Sequence, residues 1–125
     1  MSADMGLTID AVHLAMSLEH ARAKMAAHNI ATANVPGSRA TRLDVGTPLS
    51  QLRAVRGDAA LFAQTLAGLR ASDLQAYHQP FPIDAPLALD GEVAEMSAAS
   101  GRFQALADGV SRQFALMQLA IKGGR

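Results

Sequence analysis

The sequence predicts a mainly α-helical protein. Long N- and C-terminal helices pair as a coiled-coil-like hairpin, joined by an irregular middle segment containing short helices. Three observations predict this. Apolar residues recur at helical spacing over both ends of the chain. Half of the 125 residues are hydrophobic, yet there are only four Phe, one Tyr and no Trp, and an alanine- and leucine-rich composition favours helix over strand. Four of the five prolines lie within Arg39–Leu89, between the two ends, where they break regular structure.

The first helix is predicted from Thr8, a suitable cap with Asp10 in its first turn, to Thr32. Leu7, Ala11, Leu14, Leu18, Ala21, Met25, His28 and Thr32 alternate at spacings of four and three and form one seam. Glu19 and Arg22 are placed for an i,i+3 ion pair. The helix should end by Asn34, because Val35 precedes Pro36 and is pushed out of the α region. Pro36-Gly37 then suits the two central positions of a type II turn, which requires Gly37 at positive φ.

The middle segment, residues 35–89, carries two short helix signals. Pro48 fits the first helical position of a segment from Thr47 to Ala54. Gly57-Asp58 can cap a second segment, Ala59 to Arg70, whose Leu61, Phe62, Thr65, Leu66 and Leu69 share a face. After Tyr77 the run HQPFPIDAPLALD holds three prolines and reads as extended chain.

The last helix is predicted from Asp90, as its cap, through Ile121. Two seven-residue series interlock along it: Met96, Phe103, Val110, Met117, and Val93, Ser100, Ala107, Phe114, Ile121. Leu106, Leu116 and Leu119 lie off this seam, so the apolar surface is wider than one partner helix needs. Glu92 and Glu95 near the start and Lys122 at the end suit the helix dipole. The whole chain, 1–125, is expected to form one domain with segments 1–34, 35–89 and 90–125.

Composition narrows the function classes. The formal charge is zero and cysteine is absent. No basic face argues for nucleic acid, no apolar run is long enough to cross a bilayer, and thiolate chemistry is excluded. The N-terminus lacks the positive n-region of a secretory signal, so export is expected to use another route. His13, His20 and His28 are spaced too far apart along a helix to share one ion. Asp84, Asp90, Glu92 and Glu95 lack the order of a calcium loop. Ser97, Ser100 and Ser111 have no nucleophile elbow. Met5, Met16, Met25, Met96 and Met117 read as core or interface. No catalytic, cofactor or metal site is expected.

Two stretches carry a resemblance. NIATANVPGSRA, with Asn29, Ile30, Ala31, Asn34, Pro36 and Gly37, is similar to the Asn-Ile-Ala-Asn-x-x-Thr-Pro-Gly-Tyr-Lys signature near the N-terminus of bacterial flagellar rod and hook proteins. LALDGEVAEMSAASGRFQAL and FALMQLAIKGGR resemble the C-terminal helix of that family's smallest members, the proximal rod proteins. Val35, Ser38 and Val93 depart from the usual Thr, Tyr and Met. The resemblance implies an axial structural subunit of the basal-body rod in the periplasm. Such a subunit is exported by the flagellar type III apparatus without a cleaved signal, and assembles helically through its terminal helices. Its partners are copies of itself, other rod subunits, and ring and export components. The assembly seam it implies comprises Leu14, Leu18, Met25, Val93, Met96, Phe103, Val110, Phe114, Met117 and Ile121. The alternative is a soluble adaptor or secretion chaperone folded as a closed helical bundle, which needs connecting helices as long as the end pair. Prolines from Pro80 to Pro86 argue against these.

Overall fold

The structure, a computed structural model, describes residues 2–72, 74–80 and 88–123. It is mainly helical, in the order α1 (Ser2–Thr32), β1 (Thr41–Leu43), α2 (Gly46–Ala54), α3 (Ala59–Ala71), a 3₁₀ turn (Leu74–Tyr77), β2 (His78–Pro80) and α4 (Leu89–Gly123). At 1.5 Å per residue, α1 and α4 are rods of roughly 45–50 Å. They pack side by side. Asn29 touches Glu92 and Glu19 touches Arg102, so residue numbers fall on one helix as they rise on the other and the pair is antiparallel.

The predicted boundaries need three corrections. Helix α1 begins at Ser2 rather than Thr8, so Thr8 and Asp10 are interior positions. Asp10 instead meets Arg70 of α3 at 2.8 Å. Helix α4 begins at Leu89, which puts Asp90 inside the first turn rather than at the cap. In both cases the helix runs past the polar residue that the sequence offered as its start. Helix α2 likewise starts earlier than expected, at Gly46, which makes Pro48 its third residue rather than its first. The α1 helix ends at Thr32. The Ser38 N–H donates to the Val35 carbonyl at 3.1 Å and Gly37 has φ +80°, as a type II turn requires. Asp58 caps α3, accepting from the N–H groups of Ala60 and Leu61 at 3.1 Å.

Asp44 holds the start of α2. Its carboxylate accepts from the N–H groups of Gly46 and Thr47 and from the Thr47 hydroxyl. The Thr47 hydroxyl is the main cause that holds this carboxyl below the usual carboxylate range, with the two N–H groups adding to it against an opposing effect of desolvation.

A two-stranded antiparallel sheet was not legible in the sequence. Thr41, Arg42 and Leu43 pair with Pro80, Gln79 and His78. Strands of three residues are too short to show alternation. Pro80 is tolerated opposite Thr41 because the Thr41 backbone bonds elsewhere, as described below. The remainder of the predicted extended run, residues 81–87, lies outside the described residues.

The apolar core is built on one side of α1. Leu14 and Leu18 pack with Leu43 of β1 and with Leu66 and Leu69 of α3. Phe62 and Leu52 close over this cluster, while Leu61, expected on the same face, is exposed. The seam of α1 that was predicted to receive α4 is therefore largely occupied by the middle segment. Helix α4 lies on a different face of α1, the one that carries Glu19 and Asn29.

Candidate functional site

The α1–α4 interface is seamed with small and polar residues. Ala26 and Ala99 have no exposed surface, which permits close approach. Glu19 bridges to Arg22 one turn on, at 3.2 Å, as the i,i+3 spacing predicts. Its second oxygen accepts from the Arg102 Nε across the interface at 2.9 Å. His20 and Phe103 face each other with ring centroids 6.2 Å apart.

The most ordered chemistry lies where the two family-like stretches meet. Asn29, near the end of α1, and Glu92, in the first turn of α4, are each only 1% exposed. They are the only buried polar side chains among the described residues. The Asn29 carboxamide bonds the backbone of Thr41 in both directions: its Oδ1 accepts from the Thr41 N–H at 3.0 Å, and its Nδ2 donates to the Thr41 carbonyl at 2.8 Å. In an antiparallel ladder, alternate residues point their N–H and C=O away from the partner strand. Thr41 is such a residue, and the side chain of Asn29 serves as a one-residue third strand on that edge. Asn29 Nδ2 also donates to Glu92 at 3.1 Å. Arg42, the next residue on β1, binds Glu92 bidentately, Nη1 at 3.0 Å and Nη2 at 2.8 Å. A bidentate guanidinium–carboxylate pair with a third donor satisfies a carboxylate that burial would otherwise penalise. Among the described residues, no buried side-chain nitrogen or oxygen lacks a partner.

The residues of the expected assembly seam separate into three groups. Leu14 and Leu18 are buried in the core against α3, and Met25 is buried beside Thr41. Met96, Phe103, Val110 and Met117 are half-buried along α4. Val93, Phe114 and Ile121 are exposed, at 51%, 45% and 69%. The first two places of the second heptad series are displaced by one residue: Glu92 and Ala99 are buried where Val93 and Ser100 were expected, while Leu106 and Ala107 are both half-buried. A carboxylate and an alanine do not register as apolar periodicity, so the series moved to the nearest apolar neighbours. Of the motif residues, Asn29 is buried and Ile30 half-buried, while Ala31, Asn34, Pro36 and Gly37 are exposed.

The outcome for α4 is a surplus. Phe114, Leu116, Leu119 and Ile121 all face water, the last two at 65% and 69%. Leu89 and Val93 add exposed apolar surface at the opposite end. Sequence reasoning missed Thr41, Arg42 and the burial of Glu92. Nothing local distinguishes Glu92 from Glu95, so in the sequence both have the look of helix-dipole residues.

His13, His20 and His28 are exposed along α1. Among the described residues no three His, Cys, Asp or Glu side chains approach closely enough to hold a metal ion. No helix among them is long and apolar enough to cross a membrane. No protein-family model and no curated protein matches the chain.

Proposed function

We propose that the chain is a structural subunit of the bacterial flagellar basal-body rod, of the proximal-rod (FlgB) type. On this reading it leaves the cytoplasm through the flagellar type III apparatus and joins copies of itself and other rod subunits in the periplasm, next to ring and export components. It performs no catalysis. The observation that carries the reading is the apolar surface of α4 from Phe114 to Ile121, which α1 leaves uncovered. Exposed apolar rows of this kind mark surfaces that are completed by another molecule. Support for the class of molecule comes from the resemblance, whose two stretches meet at Asn29 and Glu92.

A closed adaptor bundle fits less well. Helices of nine and 13 residues are too short to enclose a 35-residue α4. The test is deletion of the gene in its own organism, followed by purification of hook–basal bodies. The expected result is loss of motility and of assembled rods, with the tagged chain recovered from basal bodies of the complemented strain. Intact rods in the deletion strain would sink the proposal.

A further inference from the structure

We infer that the Asn29–Arg42–Glu92 junction is a register lock, which selects one alignment of α4 along α1 and ties the docking of β1 to that alignment. The inference does not depend on the flagellar reading. It starts from a weakness of the remaining interface. The half-buried apolar residues Met96, Phe103, Val110 and Met117 repeat every seven positions, so a slide of one heptad, about 10 Å along the axis, places each where its neighbour was. Between these positions lie buried Ala99 and half-buried Leu106 and Ala107. Apolar burial therefore discriminates poorly among alignments.

The junction does discriminate. In the observed alignment, Asn29 lies opposite Glu92 and Glu19 opposite Arg102. If α4 slides one heptad one way, Asn29 faces Ala99 and Glu92 passes beyond the end of α1 at Thr32. If it slides the other way, Glu92 approaches Arg22, but Asn29 faces a position before α4 begins at Leu89. Both slides separate Glu92 from Asn29 and from the Arg42 that Asn29 helps to place. A polar group buried at one position of an otherwise apolar seam fixes register through the cost of leaving it unpaired. The tie extends further because Asn29 holds both backbone groups of Thr41. β1 can offer Arg42 to α4 only when Asn29 and Glu92 are aligned.

The absence of cysteine allows a direct test. His20→Cys with Phe103→Cys reports the observed alignment. His20→Cys with Met96→Cys, or with Val110→Cys, reports the two slides. Each pair is placed in the full chain with the native junction, and again with Asn29→Leu, Arg42→Met and Glu92→Met together, which keep the site filled but remove its side-chain polarity. Disulfide formation is followed in a glutathione buffer on non-reducing gels, and helix content by circular dichroism. With the native junction, the 20–103 link should dominate. With the apolar junction, helix should persist and the slipped links should rise roughly tenfold relative to 20–103. Glu92→Gln, which retains an acceptor for Asn29 and Arg42, should keep the native pattern. The inference is overturned if the apolar junction links only at 20–103. It is also overturned if that variant loses its helix, because the junction is then a stability element and nothing more.

Discussion

Helix α1 is packed on two sides by different chemistry. On one side Leu14 and Leu18 meet Leu43, Leu66 and Leu69 in an apolar core. On the other, α1 presents Glu19, Ala26 and Asn29 to α4, whose most buried members are Glu92 and Ala99. The first side is held by surface removed from water, which is strong and not specific to alignment. The second combines the half-buried Met96, Phe103, Val110 and Met117 with hydrogen bonds that accept one geometry. The difference teaches why α4 has apolar residues to spare. The leucine-rich face of α1 is taken up by the middle segment, so the large apolar residues at the end of α4 have no counterpart within the chain.

The largest expected effect is in the core. Leu66 is fully buried, and Leu66→Ala should lower the unfolding free energy by about 3–5 kcal/mol in urea titrations. A loss under 1 kcal/mol would mean that the core on this side of α1 is not what holds the middle segment.

Next comes the polar side. Glu92→Ala strands Asn29 and Arg42 and should cost about 2–3 kcal/mol, less than a fully buried pair because Arg42 reaches water. The filled apolar set Asn29→Leu, Arg42→Met and Glu92→Met should cost less, since the three interacting side chains are replaced together. Equal losses for the two variants would erase the distinction drawn between the sides.

The turn that leads from α1 toward β1 gives a smaller effect. Gly37 holds φ +80° with open space around it, so only backbone strain opposes a side chain there. Gly37→Val should cost about 1–2 kcal/mol, and Ser38→Ala close to nothing. Thermal melts of the two variants that coincide would contradict the type II geometry.

The surplus face should hardly register in the isolated chain. Phe114 is almost half exposed, so Phe114→Ala should cost no more than about 1 kcal/mol, well below the penalty for a packed phenylalanine. On the proposed rod function its consequence should appear in assembly: the variant should be made and exported at normal levels but be missing from rods, as fractionation of periplasm and basal bodies will tell. Normal incorporation would remove this face from the interface.

The smallest effect is a pH dependence at the start of α2. The Asp44 carboxyl is held below its unfolded value, so the stability it contributes is complete above the unfolded pKa and is lost as pH falls through the folded one. Asp44→Asn should therefore narrow the difference between melting temperatures at neutral pH and at pH about 3. An unchanged difference would show that the hydroxyl and N–H bonds of Asp44 are not formed in solution.

Much of the architecture was legible because local chemistry wrote it. The stop at Thr32, the Pro36-Gly37 turn and the Asp58 cap each depend on residues within a few positions of one another. So does the Glu19–Arg22 pair. The two long helices follow from sustained 3.6-residue periodicity over an alanine- and leucine-rich chain. What the sequence could not assign was which face of a long helix meets which neighbour, because α1 carries two usable faces and periodicity reports only the more apolar one.

By itself, then, the sequence determined that this chain is helical, where its helices turn and stop within a few residues, and that its apolar surface exceeds what one hairpin can bury. Backbone preference, capping and hydrophobic spacing act over short separations and can be read along the chain. The tertiary structure alone decided that Asn29, Arg42 and Glu92 converge, that Leu14 and Leu18 face α3, and that Val93, Phe114 and Ile121 face water. Asn29 and Glu92 are 63 residues apart, and the burial of a carboxylate is stable only when its donors arrive from elsewhere in the chain. No local signal in the sequence records that arrival.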